Sequence, residues 1–239
     1  SDVTAVIAAI DGASPAGGGT SVSDGLAAGL NVIQGAGSRP NVPHTILLLT
    51  DGVQTVDGDD STAIAQATVV KNAGVGVVSV GFGGARVSTI TAIASAPSAD
   101  FAYFGSDLEA IRTHFSNAQL CELVLAPKAP PPPSPPPSPP HPPGRPPSPP
   151  SPPLAPPSPP PCEGQLELVL VLDKSGSVRS AQSSILAFAR ELVSQFTLSP
   201  TAAQVGVVEF SNDAATLIAL SSDVTAVIAA IDGASPAGG

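Results

Sequence analysis

The sequence predicts an α/β protein: a doubly wound, mostly parallel sheet of six strands with helices on both faces, its elements written in circularly permuted order around a polyproline linker. Three observations carry that expectation. Near-continuous apolar runs such as "QLELVLVLD" and "HTILLLTDG" alternate with stretches of helical periodicity, and an unbroken apolar run fits a strand covered on both faces. Residues 222–239 repeat residues 1–18 letter for letter, at an offset too long for a solenoid unit and about the size of a domain plus linker. Between the flanks, residues 127–161 hold 23 of the 29 prolines, and a tract so poor in amide donors forms neither helix nor sheet but polyproline II.

After the linker, "QLELVLVLD" is the first strand, and Ile185, Ala189, Leu192 and Phe196 then fall at helical spacing. "AQVGVVEFS" and "ATLIALS" read as two further strands, the second short enough for an edge. Val224, Val227, Ile228 and Ile231 follow on one helical face, with Ser222 as the cap. The stretch before the linker resumes at this helix in its first copy, with Val3, Val6, Ile7 and Ile10. A glycine-rich turn leads to a helix carrying Val22, Leu26, Leu30 and Ile33. "HTILLLTDG" is the next buried strand, and the helix after it ends in "VKNAG", where Gly74 suits a C-terminal cap of positive φ. "VGVVSVGFG" is a strand, a short helix surrounds Ile90 and Ile93, and "FAYFG" is the last strand. "SDLEAIRTHF" closes the unit as a helix, with Ser106 and Glu109 forming a capping box.

Neither flank is a whole domain, since each supplies three strands of six. Residues 1–125 give the later part of the unit, 126–161 the linker and 162–239 the earlier part; read cyclically, 162–239 followed by 19–125 makes one complete domain. The simplest account of the duplication is a window slightly longer than one period of a tandem array. The alternative is a permuted single domain, in which two copies of one amphipathic helix compete for one groove.

Composition narrows the function. Aromatic residues are only 3% of the chain, so the core must be built from Val, Ile, Leu and Ala. A net charge of −10 argues against nucleic acid or an anionic membrane as partner, because no basic patch exists to neutralise phosphates. No apolar stretch is long enough for membrane insertion.

The chemistry-bearing residues cluster after predicted strands. "LVLDKSGSV" spaces Asp173, Ser175 and Ser177 as D-x-S-x-S at the end of the first strand, where an open α/β sheet presents its loops. Alone, this spacing also fits an Asx turn or helix cap. A carboxylate with two hydroxyls is nonetheless a hard oxygen set suited to Mg²⁺, and too small to enclose Ca²⁺ unaided. "GGGTSVSDGL" adds Thr20 at a helix start, and "LLLTDG" adds Asp51 at a strand end. Asp59 and Asp60 read as a helix-starting turn, and "GFGG" lacks the rest of a phosphate loop. No nucleophile and base are paired, so no enzyme is expected.

At these residues the chain resembles the von Willebrand factor type A domain, whose metal ion-dependent adhesion site combines D-x-S-x-S, a threonine after glycines and an aspartate in T-D-G. The resemblance implies direct metal contacts from Ser175 and Ser177, and from Thr20 in the high-affinity state, with Asp173 and Asp51 acting mainly through bound water. It implies Mg²⁺ as cofactor, with Mn²⁺ or Ca²⁺ as alternatives, and a protein partner presenting an Asp or Glu carboxylate, matrix glycoproteins among the candidates. It also suggests a disulfide between Cys121 and Cys162, free thiols being the alternative. The Ser-Pro-Pro pattern is similar to the hydroxyproline-rich glycoproteins of plant and green-algal walls, which implies a secreted, extracellular protein of wall or matrix. Under this reading the domains are adhesion modules strung on proline rods; the alternatives are a wall spacer with a purely structural metal and the non-catalytic binding domain of a larger secreted enzyme.

Overall fold

The computed structural model describes residues 18–106, 108, 111 and 164–234. Before the linker, α1 (Val22–Ile33), β1 (His44–Thr50), α2 (Asp60–Asn72), β2 (Gly76–Phe82), α3 (Val87–Ile93), α4 (Ser98–Phe101) and β3 (Ala102–Gly105) follow in order. After it come β4 (Leu166–Asp173), a 3-10 turn (Gly176–Val178), α5 (Gln182–Ser194), β5 (Ala203–Phe210), β6 (Ala214–Ser221) and α6 (Val224–Gly233). The two flanks close into one six-stranded sheet of order β3-β2-β1-β4-β5-β6. Only β6 is antiparallel, and it lies at the edge as its short apolar run suggested.

Burial on both faces explains the unbroken apolar strands. Leu166, Leu168, Leu170 and Leu172 of β4 face α5 and α6, packing with Ile185, Phe188, Leu192, Val227 and Ile231. Val169 and Val171 face the other way, toward Val22, Leu26, Leu30 and Ile33 of α1. Period-two alternation therefore serves two cores at once. Leu108 and Ile111 are helical and buried in the first core, in agreement with a closing helix, while Glu109 of the expected capping box lies outside the described residues.

Helix ends follow local chemistry. After α2, Gly74 adopts φ +82°; its amide donates to the Lys71 carbonyl at 3.0 Å and that of Val75 to Val70 at 3.3 Å, the bonding of a Schellman cap. Asp59 caps the start of α2 by accepting from Ser61 N at 2.8 Å, which agrees with a helix-starting turn there. The cap of α6 differs from expectation. Asp223, not Ser222, accepts from Thr225 N at 2.9 Å and Ala226 N at 3.2 Å, because the helix begins one residue later than the hydroxyl requires. Val224 also departs from the buried stripe and is 48% exposed; Val227, Ile231 and Ala234 carry the packing instead.

The copy of the duplicated segment that contains α6 is seated on the sheet. Residues 1–17, Cys121, Cys162 and the proline tract lie outside the described residues. No helix among the described residues is long and apolar enough to cross a membrane.

At the amino edge of the sheet, the acid inside "QLELVLVLD" forms a clamp. Glu167 is fully buried and accepts from Arg39 N at 2.6 Å, Arg39 Nε at 3.1 Å and Ser38 Oγ at 2.9 Å, with His44 Nε2 2.9 Å from its second oxygen. The Arg39 guanidinium also donates to the carbonyls of Leu166, Pro200 and Ala202. One side chain thereby ties the α1–β1 loop to the strands of the other flank. Removing one partner of a buried pair leaves an uncompensated charge, so Arg39→Ala should destabilise the fold by about 3 kcal/mol in urea unfolding.

Candidate metal centre

β1 and β4 are adjacent, parallel and in register, with Leu49 opposite Leu172. The chain leaves this pair toward opposite edges of the sheet, through β2 on one side and β5 on the other. That is the switch point at which open α/β sheets bind ligands beyond their carboxyl ends. Asp173 ends β4 and Thr50 ends β1, so the loops that follow leave the sheet side by side.

A continuous chain of hydrogen bonds links them. Thr50 Oγ1 donates to Asp173 Oδ2 at 2.6 Å, and Asp173 Oδ1 accepts from Ser175 N at 2.8 Å. Ser175 Oγ lies 2.9 Å from Ser177 Oγ, which donates to Asp51 Oδ1 at 2.7 Å. Thr20 enters over Gly52: a Cβ at that glycine would lie 3.0 Å from Thr20 Oγ1 and 3.5 Å from Ser177 Oγ. Both hydroxyls therefore border a space that a side chain at position 52 would crowd.

The Thr20 backbone is held from three directions. Its amide donates to Thr55 Oγ1 at 2.8 Å, and its carbonyl accepts from Thr55 N at 2.9 Å. On the β5–β6 side, Asn212 Oδ1 accepts from Gly19 N at 2.6 Å and the Ser211 carbonyl from Ser21 N at 2.7 Å. The D-x-S-x-S loop closes the third side, where Gly176 N donates to the Gly18 carbonyl at 3.3 Å. Gln54 accepts from Ser23 N at 3.0 Å, satisfying an amide of the first turn of α1 that no local side chain caps.

Electrostatically the centre wants a cation. Asp173 is fully buried, and burial pushes its carboxyl up to about 6, opposed by the Ser175 and Thr50 hydrogen bonds and aided by the nearby Asp51 charge. Burial also raises Asp51, against the Ser177 hydrogen bond. Lys174, the adjacent cation in sequence, is turned away to Glu209 at 2.5 Å. Two crowded carboxylates with no cation of the described residues between them, and hydroxyls able to offer neutral oxygens, fit a hard divalent ion. Among the described residues no group of three or more His, Cys, Asp or Glu gathers for a metal, so the donor set is distinguished by its hydroxyls.

The structure thus brings Asp173, Ser175, Ser177, Asp51 and Thr20 to one place. Thr50, Gly52, Thr55 and Asn212 support it and were not singled out from sequence. A hydroxyl ending an otherwise apolar strand was the available signal for Thr50; nothing local marks Asn212, which reaches the site only through the β5–β6 turn.

A doubly wound sheet with an oxygen-lined cation cradle at its switch point defines a metal-binding α/β domain. The family model of the von Willebrand factor type A domain matches residues 1–117 and 167–239, well over half of the sequence, and the chain belongs to that family. Its domains are generally metal-dependent protein-interaction modules and are often extracellular. Among solved structures the chain is similar to proximal thread matrix protein 1 from the mussel byssus, at 18% identity and a TM-score of 0.35, over 91% of this chain and 50% of that one. It therefore spans half the length of that protein. A second structure of the mussel protein, with a zinc-occupied adhesion-site motif, is similar at 18% identity and a TM-score of 0.32, over 87% and 47% of the two chains. An uncharacterised protein from Alicyclobacillus acidocaldarius is similar at 16% identity and a TM-score of 0.47, over 80% and 92%. No relative among curated proteins matches the chain.

The carboxyl shifts set a pH dependence. A raised carboxyl pKa means that the folded protein holds the proton more tightly than the unfolded chain, so the contribution to stability is greatest below the ordinary value and is lost as pH rises through about 6. With chelator present, Asp173→Asn should remove this decline and raise stability at neutral pH by roughly 3 kcal/mol, read by urea unfolding at acidic and neutral pH. Cation affinity should fall as pH drops below about 6, where a proton competes for Asp173.

Proposed function

We propose that this domain is a divalent-cation-dependent adhesion module of an extracellular matrix or cell wall, which captures an acidic residue of a partner protein at the carboxyl edge of β1 and β4. The observation that carries the reading is the convergence of five oxygen-bearing side chains from three loops, with two carboxylates of raised pKa and no cation of the described residues among them. Ser175, Ser177 and Thr20 would hold the ion through their hydroxyl oxygens. Asp173 already accepts from Thr50 and Ser175, which suits it to offset charge through bound water. Asp51 is half-buried beside the exposed Ser177 and suits the same role from the solvent side. Mg²⁺ or Mn²⁺ fits an all-oxygen set better than zinc, which favours nitrogen and sulfur. When bound, the ion supplies an electrophilic position for a partner's carboxylate.

The reading is non-catalytic. In the hydrogen-bond chain, each serine hydroxyl is engaged by the other serine or by Asp51, and among the described residues no histidine takes part in that chain. The net charge of −10 agrees with a cation as cofactor and disfavours nucleic acid. The proline-rich tract would act as a rod between modules of a tandem array, and avidity would follow where partners match its spacing.

Thermal melting with and without Mg²⁺ tests metal binding first. At a hundred times its dissociation constant, an ion that binds only the folded form should stabilise by about 2.7 kcal/mol. Ser177→Ala should lose that gain while leaving the metal-free stability nearly unchanged, because Ser177 is exposed. Capture of an immobilised Glu-containing peptide should then require Mg²⁺ and be abolished by chelator. Metal-dependent stabilisation with no carboxylate capture would turn the reading into that of a structural spacer.

A further inference from the structure

The segment that fills the groove under α6 is written twice in the same chain. α6 lies on α5, β5 and β6, with Val227, Ile231 and Ala234 completely buried. Its ends are fixed by polar contacts: Asp223 caps the first turn, Asp232 pairs with Arg190, and Gln182 Nε2 donates to the Ala234 carbonyl at 3.1 Å. Residues 1–18 reproduce each of these groups in order: Asp2 for the cap, Val6, Ile10 and Ala13 for the buried row, and Asp11 for the partner of Arg190. The family match covers both copies.

We propose that residues 2–13 of the same chain dock in this groove interchangeably with residues 223–234. Identical side chains make identical contacts, so the choice between copies rests on the tethers alone. The second copy is tied at its start to β6, through Ser221 Oγ accepting from Asp223 N at 3.1 Å. The first copy is tied at its end to the metal centre, where the Gly18 carbonyl accepts from Gly176 N. Gly18 follows Ala13 by the same five residues that separate Gly239 from Ala234. A tether this short holds the first copy at a high effective concentration near the groove, which favours its own chain over a second one. When the first copy is seated, the groove is joined covalently to the Thr20 loop; when the second is seated, it is joined to the edge strand.

The full chain tests this with three variants. Val6→Asp with Ile10→Asp disables the first copy, Val227→Asp with Ile231→Asp disables the second, and the quadruple variant disables both. Each double variant should melt cooperatively and as a monomer near the unsubstituted temperature, while the quadruple variant should melt far lower or fail to fold. Hydrogen exchange should show protection of amides 3–13 in the Val227→Asp/Ile231→Asp protein and its loss in the Val6→Asp/Ile10→Asp protein. The proposal is overturned if the Val227→Asp/Ile231→Asp protein loses more than half of the stability lost by the quadruple variant, or fails to fold with it. It is equally overturned if the quadruple variant loses nothing, if amides 3–13 stay unprotected, or if the Val227→Asp/Ile231→Asp protein is rescued only as a dimer.

Discussion

The parallel pairing of β1 with β4 is the constraint on which the rest depends. It joins two flanks of the sequence that are separated by the proline tract, and its register places the ends of the two strands level. Without it, the D-x-S-x-S loop and the T-D-G loop would belong to different halves of a sheet. With it, Thr50 reaches Asp173 and Ser177 reaches Asp51 through side-chain hydrogen bonds.

β4 carries a buried carboxylate near each end, and the contrast between them explains the chemistry. Glu167 and Asp173 are both fully buried, and their positions on the strand place them on the face toward α1. The six residue steps from one to the other span ~20 Å of strand. A helix of the length of α1 spans ~18 Å, so the loops at its two ends reach both acids. At the amino edge, the loop after α1 supplies Arg39, a fixed cation that makes Glu167 part of the architecture. At the carboxyl edge, the segment before α1 supplies Thr20, a neutral hydroxyl, while Lys174 is taken up by Glu209. A charge completed by the protein holds the fold; one left without a partner cation among the described residues is the kind of strain common at functional sites.

Much of this was legible in the sequence for identifiable reasons. Strands buried on both faces cannot be mistaken for amphipathic ones, and "HTILLLT" and "LELVLVLD" announced a helix-covered sheet. The glycine after "VKNA" marked its cap because few other residues tolerate positive φ. The errors gathered at the start of α6. Ser222 and Asp223 both suit an N-cap, and only the start of the helix decides between them. Val224 has the right spacing for the buried stripe but sits at the very first position of α6, beyond the groove.

The sequence by itself determined the class of fold and the order of its elements, and it named side chains that meet at the carboxyl edge, because hydrophobic period and side-chain chemistry are local properties. Only the tertiary structure decided that both flanks close on one sheet, that Glu167 has its own cation while Asp173 has none among the described residues, and that Thr55 and Asn212 hold Thr20 in place. Those facts depend on which loops meet above neighbouring strands. Partners more than a hundred residues apart, such as Arg39 with Glu167 and Ser177 with Asp51, leave no periodic trace in a single chain.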